Sequence, residues 1–236
     1  MIRCDEILGR LKSLGSPKAV EGMARFGVHV PNALGVSAPD LRRLAREIGR
    51  DHALAGRLWK TGVHDARVLA TLIDEPAKVT VSQMERWAGD FDSWAVCDAA
   101  CCCLFDKTPC AWDKAVEWTE REQEYVKRAG FVLMAALAVH DKSAPDERFK
   151  AFLPIIVAHA TDERNFVKKA VNWALRQIGK RNARLNSAAV RTARAIRKID
   201  SRAARWIAAD ALRELTCDKV RVRLARTVVS LRSPQS

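Results

Sequence analysis

The stretch RNFVKKAVNWALRQIGKRN, at positions 164–182, decides the fold class of this chain. Its apolar residues recur at the three- and four-residue spacing of a single helix face. They are Phe166, Val167, Ala170, Val171, Ala174, Leu175 and Ile178. This spacing predicts an amphipathic helix whose apolar stripe packs against neighbouring helices.

The rest of this helix is basic and carries one large aromatic residue. Trp173 lies largely off the apolar stripe, together with Lys168, Lys169, Arg176, Lys180 and Arg181. An aromatic ring among cations suits an anionic polymer with flat or sugar-like parts, of which nucleic acid is the obvious candidate. The alternative is a solvated basic face with a partly packed tryptophan.

Positive charge is concentrated in the last third of the chain. Residues 164–236 hold 19 Lys and Arg against 4 Asp and Glu, whereas residues 1–163 hold 22 against 24. Such concentrated charge directs a protein to phosphate backbones, and the binding weakens as salt rises. A membrane surface could also attract it, but the basic helices carry apolar stripes that a protein core would bury.

The seven cysteines are an odd number, and four of them lie between Cys97 and Cys103. Residues 1–14 include five charged residues, unlike a secretory signal, and no apolar run is long enough to cross a bilayer. We therefore expect a cytoplasmic protein, nucleoid-associated if bacterial, with reduced cysteines packed in its core. A zinc site is the alternative, but paired C-x-x-C spacing is missing. We expect neither metal nor cofactor.

Helical periodicity covers nearly the whole chain, and strand-like alternation is not convincing anywhere. Short loops with Pro, Gly, Asp or Ser separate the helical segments. The pattern predicts helices near 3–14, 18–26, 38–49, 51–60, 64–74, 80–88, 92–104, 110–120, 124–140, 146–160, 164–179, 183–198, 201–216 and 218–231.

Several helices begin alike, with an apolar residue, one or two cations and an alanine. Val126 and Val167 mark two such starts, 41 residues apart, and two antiparallel helices of a HEAT-type repeat fit in that period. We therefore expect an all-α chain that forms one right-handed α-solenoid of degenerate HEAT-like helix pairs over 1–236. Its inner helices would line a concave basic groove, and a short polar tail would occupy 232–236. An ordinary globular helical bundle is the alternative.

Four residues in this predicted groove are suited to chemistry. Trp94 and Asp98 are four residues apart and so project from one helix face. Arg128 begins a later inner helix, and Trp173 lies in the one after it. Asp98 stands among apolar residues, where a carboxylate needs either a partner or a task. A structural salt bridge between Asp98 and Arg128 is the simpler alternative.

The chain resembles the DNA alkylation repair family, the AlkD-like HEAT-repeat DNA glycosylases, from about Val20 to Leu231. The motifs that carry the resemblance are SWAVCD at 93–98, VKRAGFVLMAAL at 126–137 and FVKKAVNWALRQIGK at 166–180. GVSAPDLRRLAREI at 35–48 and LWKTGVHDARVLATLI at 58–73 also look familial. Aromatic residues that some relatives present in the N-terminal turn are replaced around 28–34, and the chain's single tyrosine is Tyr125.

The resemblance implies hydrolytic removal of cationic N3- and N7-alkylated purines from duplex DNA, without a deep base-flipping pocket. It assigns the catalytic groove to Trp94, Asp98, Arg128 and Trp173. Asp98 would stabilise the sugar cation and position water, while Arg128 would hold a phosphate. Phosphate contacts would come from Lys127, Lys168, Lys169, Arg176, Lys180 and Arg181. We expect a monofunctional glycosylase that acts as a monomer.

Two other functions fit parts of the sequence. A non-catalytic relative would bind damaged or branched DNA through the same basic groove. A protein-binding HEAT scaffold would give no reason for 19 cations in the last third of the chain.

Overall fold

The structure, a computed structural model, describes the backbone of residues 3–230 and the side chains of residues 3–225. Within that part the chain is helical throughout and contains no strand. It divides into two compact units, Met1–Ala111 and Trp112–Ser236. The predicted polar tail at 232–236 lies outside the described residues, and the single domain over 1–236 stays a prediction.

The first unit is built from short helices, most of which begin at a side chain that caps the first turn. Ser16, Ser37, Asp51, Thr80 and Ser93 each accept a hydrogen bond from a backbone N–H of the helix that follows. Such caps satisfy donors that the first turn leaves unpaired. The α-helices are α1 (Cys4–Leu14), α2 (Pro17–Arg25), α3 (Ala38–Ile48), α4 (His52–Lys60), α5 (His64–Ile73), α6 (Val81–Gly89) and α7 (Trp94–Cys103).

The second unit holds the longer helices and most of the excess positive charge. Asn182 and Ser201 cap two of them in the same manner. The helices are α8 (Ala111–Glu117), α9 (Glu124–His140), α10 (Asp146–Ala158), α11 (Asn165–Gly179), α12 (Ala183–Ile196), α13 (Arg202–Leu215) and α14 (Asp218–Ser230).

Helices pack in a repeating order within each unit. In the first, α4 packs on α5, and α5 in turn contacts both α3 and α7. In the second, α12 packs on α13, while α11 lies against both α9 and α13. Contacts between successive helices therefore alternate with contacts to the helix two places along, as from α3 to α5 and on to α7 and from α9 to α11 and on to α13, which is the packing of stacked helix pairs.

Two glycines allow this close packing in the second unit. A Cβ at Gly130 of α9 would lie 2.8 Å from the backbone nitrogen of Thr119. A Cβ at Gly179, the last residue of α11, would lie 2.6 Å from a methyl group of Leu215 on α13. The missing side chains let α9 and α11 approach their neighbours.

The all-α prediction and the order of fourteen helices are confirmed for the described residues. One predicted helix, 110–120, is instead the short α8 followed by a 3₁₀ turn at Trp118–Glu120. The predicted apolar stripe of α11 is confirmed, because all of its members except the half-buried Phe166 are buried. No helix in the described part of the chain is both long and apolar enough to cross a membrane.

Candidate active site and nucleic-acid interface

Trp94 and Asp98 lie on the half-exposed side of α7. The buried Ser93 caps the helix by accepting from the Val96 N–H, which makes Trp94 the first helical residue. Val96, Cys97, Ala100 and Cys101 face the core, while Trp94 and Asp98 remain partly accessible one turn apart. Trp94 and Asp98 therefore lie on one face of α7, as their spacing in the sequence predicts.

The Trp94 ring is tied to the loop that joins α2 to α3. Its indole N–H donates a 2.9 Å hydrogen bond to the carbonyl of Phe26. The same loop is held further along by the buried Asp65, whose carboxylate accepts from the N–H groups of Leu34 at 2.6 Å and Val36 at 2.8 Å. The loop and the start of α7 therefore form one connected surface of the first unit.

Small side chains surround Asp98 along its helix. Ala95 and Cys102 lie one turn before and after it, and Ala99 follows it directly. Asp98 itself is half-buried, with Trp94 as the one large side chain a turn away on this helix. Burial, with a further contribution from the negative charge of Asp98, raises the pKa of the Cys102 thiol, so that this thiol stays neutral.

The cysteine cluster is packed into the first unit. All seven cysteines are free, and Cys97 and Cys101 are completely buried in the core. Burial raises the pKa of the Cys101 thiol well above its ordinary value, which leaves it a small apolar group. Among the described residues, no group of His, Cys, Asp and Glu side chains is arranged to hold a metal ion.

Arg128 is buried near the start of α9, in the second unit. Its guanidinium donates a 2.7 Å hydrogen bond to the carbonyl of Phe166, the second residue of α11. This contact joins the first turns of two neighbouring helices and fixes the orientation of the guanidinium plane.

Hydrogen bonds accepted by side chains join the start of α9 to the start of α11, and the start of α11 to the start of α13. Glu124 accepts from the backbone N–H of Phe166 at 3.4 Å, and Glu163 accepts from the N–H of Ala203 at 2.8 Å. The Ala203 N–H, followed by the Ser201 hydroxyl and the charges of Lys168 and Arg202, lowers the pKa of Glu163. Three helix starts thus form one edge of the second unit, which we call the N-terminal edge.

The predicted phosphate-binding cations fall into two groups. Lys127 and Lys168 are half-buried and Lys169 is exposed, all within the first turns of α9 and α11 at the N-terminal edge. Helix dipoles and lysines together make such an edge attractive to anions. These three cations are therefore placed where a nucleic-acid backbone could reach them.

The second group lies at the other end of α11 and has partners within the protein. Arg176 and Lys180 both form salt bridges with Glu214, and the Lys180 ammonium nitrogen lies 2.6 Å from a Glu214 carboxylate oxygen. Arg181 donates to the carbonyls of Ala138 and Ala144 and lies over the Phe149 ring. These contacts join α11 to its neighbours and supply a structural reason for all three cations.

Trp173 and Trp206 are partly accessible tryptophans of the second unit that lie outside the apolar stripes of their helices. Trp173 is half-buried on α11, and Trp206 on α13 is 40% exposed. The ammonium group of Lys168 lies 5.4 Å from the centre of the Trp206 ring. A cation–π contact of this kind holds the lysine at the ring without covering both of its faces.

Sequence reasoning missed two exposed aromatic residues. Trp206 could have been found, because it lies off the stripe of Ala203, Ala204, Ile207, Ala208 and Ala211 just as Trp173 lies off the stripe of α11. Phe26, which is 73% exposed, is the last residue of the helix predicted over 18–26, but α2 ends at Arg25 and Phe26 follows it. Its carbonyl contact with Trp94 is visible only in the folded structure.

Stacked helix pairs with a basic N-terminal edge define a HEAT-like α-helical repeat protein. Residues 7–215 match the model of the DNA alkylation repair enzyme family, so the chain belongs to that family. The resemblance drawn from the sequence motifs is confirmed at this level.

Relatives share most of the chain's length. An uncharacterized protein of Listeria innocua is 24% identical over 205 residues, which are 84% of this chain and 88% of that protein. An uncharacterized protein of Listeria monocytogenes is 26% identical over 137 residues, 56% of this chain and 60% of that protein.

A solved structure with the same fold is described as a new family of proteins related to the HEAT-like repeat DNA glycosylases with affinity for branched DNA structures. It aligns with a TM-score of 0.76 at 20% identity and covers 91% of this chain and 96% of its own. The fold class is therefore that of the HEAT-like repeat DNA glycosylases.

Proposed function

We propose that this protein is a monofunctional DNA glycosylase that removes N3- and N7-alkylated purines from duplex DNA by hydrolysis of the N-glycosidic bond. The observation that carries the proposal is the placement of Asp98 beside Trp94 on the half-exposed face of α7. A carboxylate and an aromatic ring one turn apart supply two different means of stabilising a positively charged sugar.

The chemistry follows from the charge of the lesion. Alkylation at N3 or N7 makes the base cationic and therefore a good leaving group, so the enzyme need not protonate it. The glycosidic bond breaks as its electron pair moves to the base, and positive charge develops at C1′ of the deoxyribose. The ionised Asp98 would stabilise that charge and accept a proton from the water that attacks C1′. The products are the free alkylated base and an abasic site.

Trp94 in the first unit and Trp173 in the second would each offer an aromatic face to a deoxyribose. The attraction between an aromatic face and a positive centre increases as the sugar becomes cationic, so this binding favours the transition state over the bound substrate. The hydrogen bond from Trp94 to Phe26 supports the role, because it fixes the indole plane before DNA arrives.

Arg128 would hold a backbone phosphate of the DNA. Its hydrogen bond to the Phe166 carbonyl supports this role by restricting the guanidinium, which lowers the entropic cost of a charged contact. Lys127, Lys168 and Lys169 at the N-terminal edge would position the duplex through phosphates and without reading its sequence. Action on DNA would place the protein in the cytoplasm, at the nucleoid if its source is bacterial.

A comparison of cationic and neutral lesions tests the proposal. The protein is incubated with one duplex that contains N7-methylguanine and with a second that contains O6-methylguanine at the same position, and base release is followed. We expect release of the cationic base alone, because a neutral base is a poor leaving group unless it is protonated, and the proposed role of Asp98 is to act on the sugar and the water rather than to protonate the base. Equal release of both bases would contradict the proposed mechanism.

Binding of branched DNA without catalysis is a second candidate function. The observation that favours it is the shared fold with the family described as having affinity for branched DNA structures. Under this alternative the protein binds a four-way junction more tightly than a duplex of the same length and releases no base from methylated DNA. Under the glycosylase proposal, the protein releases base from methylated DNA whether it binds the junction or the duplex more tightly.

A further inference from the structure

Trp206 is an exposed aromatic side chain that the packing of the second unit does not use. The buried face of α13 consists of Ala203, Ala204, Ile207, Ala208 and Ala211 with Leu215, and Trp206 lies outside it. The ring is 40% exposed. A large ring placed there forgoes part of the apolar burial that normally accounts for a tryptophan.

The indole N–H of Trp206 is also available. Trp59, Trp94 and Trp112 each donate a hydrogen bond from this group, to Asp90, Phe26 and Asp141. Within the part of the chain that the structure describes, Trp206 makes no such bond. Its one ring contact there is with the ammonium group of Lys168, 5.4 Å from the ring centre.

The surroundings of Trp206 are positively charged and carry few unpaired carboxylates. Arg202 and Arg205 are exposed on α13 within four residues of it, and Lys169 is exposed on α11 next in sequence to Lys168. The nearby acids have partners: Asp200 pairs with Arg205 at 2.8 Å, Asp210 pairs with Arg213, and Glu163 accepts from Ser201 and Ala203. The ring therefore stands among cations at the N-terminal edge.

From these observations we propose that Trp206 is a stacking platform for an unpaired nucleobase, and that the protein's preferred DNA is a duplex with single-stranded nucleotides beside it. Lys168 and Lys169 would hold the phosphates that flank the stacked base. The proposal rests on the proposed DNA-binding function. It adds the class of DNA that would bind where α11 and α13 meet the N-terminal edge.

An unpaired base is favoured over an intact duplex by geometry. In a duplex both faces of each base are covered by its neighbours, so an exposed ring can reach only sugar and phosphate. An unpaired base can turn one face to an aromatic ring, and such stacking is insensitive to sequence. Cations beside an accessible ring are the usual arrangement of single-strand binding surfaces.

The test compares two DNAs and four forms of the full chain. Fluorescence anisotropy gives the dissociation constants for a blunt duplex and for the same duplex with a short single-stranded extension. The forms are wild type, Trp206→Ala, Trp206→Phe and the control Val116→Ala, which truncates another exposed apolar side chain of the second unit. A 2-aminopurine in the extension reports stacking directly through quenching of its fluorescence.

We expect Trp206→Ala to weaken binding of the extended duplex about tenfold and to abolish the quenching. Binding of the blunt duplex should change less than twofold. Trp206→Phe should retain most of the affinity and quenching, and Val116→Ala should match wild type.

These measurements separate the stacking role of Trp206 from the DNA-binding function of the protein. If wild type binds both DNAs but Trp206→Ala lowers the two affinities equally, or leaves the quenching intact, the stacking role is overturned and the DNA-binding function stands. If wild type binds neither DNA, the proposed function is overturned and the stacking role with it.

Discussion

The indole N–H of Trp94 donates to the carbonyl of Phe26, at 2.9 Å and across 68 positions of sequence. The bond joins the first residue of α7 to the loop that follows α2, and so fixes the ring that stands one turn from Asp98. Phe26 itself is 73% exposed beside this bond.

Loss of the Trp94 hydrogen bond should slow catalysis while the protein stays folded. Trp94→Phe keeps an aromatic ring but removes the N–H donor, and such a bond contributes about 1 kcal/mol. We expect the single-turnover rate of N7-methylguanine release to fall about fivefold. Trp112→Phe removes a comparable indole bond, to Asp141, and should leave the rate unchanged. Equal rates for wild type and Trp94→Phe would show that the bond plays no part in the reaction.

The buried Asp65 should be a major source of stability in the first unit. Both of its carboxylate oxygens accept backbone N–H groups, from Leu34 and Val36. Asp65→Asn replaces one carboxylate oxygen, an acceptor, by an amide NH₂ group, a donor that would face a backbone N–H. We expect the substitution to lower the free energy of unfolding by about 2–3 kcal/mol. Urea denaturation measures the change. Asp5→Asn, at a side chain that is 83% exposed, serves as the matched control and should have no measurable effect.

The cations at the N-terminal edge and those around the C-terminal end of α11 should behave differently in DNA binding. Lys169→Ala should weaken duplex binding and reduce the slope of log K against log salt by about 0.9, because one phosphate contact is lost. Arg181→Ala should leave that slope unchanged and lower the melting temperature, since its guanidinium holds the Ala138 and Ala144 carbonyls. Anisotropy titrations at several salt concentrations and thermal unfolding distinguish the two effects. The reverse pattern would assign the phosphate contact to Arg181.

Glu214 should stabilise the second unit in a pH-dependent manner. Burial opposes its ionisation, but the Lys180 hydrogen bond and the charges of Arg176 and Lys180 prevail and lower its pKa below the ordinary 4.5. The ionised form therefore adds stability above pH 4.5, and this contribution is lost as the pH falls through the lower folded-state value.

Unfolding of Glu214→Gln checks that effect. At pH 7 the variant should be less stable than wild type by about 1 kcal/mol. The difference should shrink steadily below pH 4.5, the ordinary value for this group. Glu147→Gln, at a side chain that is 76% exposed, should differ little from wild type at either pH. If the stability difference between wild type and Glu214→Gln is the same at acidic pH as at pH 7, the charge of Glu214 does not cause it.

Helix order could be predicted from this sequence because local physics determines it. The α11 stripe recurs with helical spacing, and caps such as Ser37 and Ser201 precede the helices that they begin. The same spacing placed Trp94 and Asp98 on one face of α7. These features depend on residues within a few positions of one another.

Contacts between distant segments could not be predicted in this way. Nothing near Arg181 in sequence indicates that its guanidinium lies on the Phe149 ring, and nothing near Phe26 indicates that its carbonyl accepts from Trp94. The cations of α11 looked equivalent because periodicity reports only which face a residue occupies. Their division depends on Glu214, which lies 34 positions from Lys180.

Asp98 should stabilise the sugar cation that forms as the alkylated base departs, and a paired measurement tests this role. Single-turnover release of N7-methylguanine and the dissociation constant for the same methylated duplex are measured for wild type, Asp98→Asn and Asp92→Asn. Asp92 lies in the same unit, pairs with Arg67 and is 40% exposed, so its variant controls for the loss of one negative charge. We predict that Asp98→Asn releases base at least about a hundredfold more slowly while binding the duplex as tightly or more tightly. Release by Asp98→Asn at the wild-type rate would contradict the account.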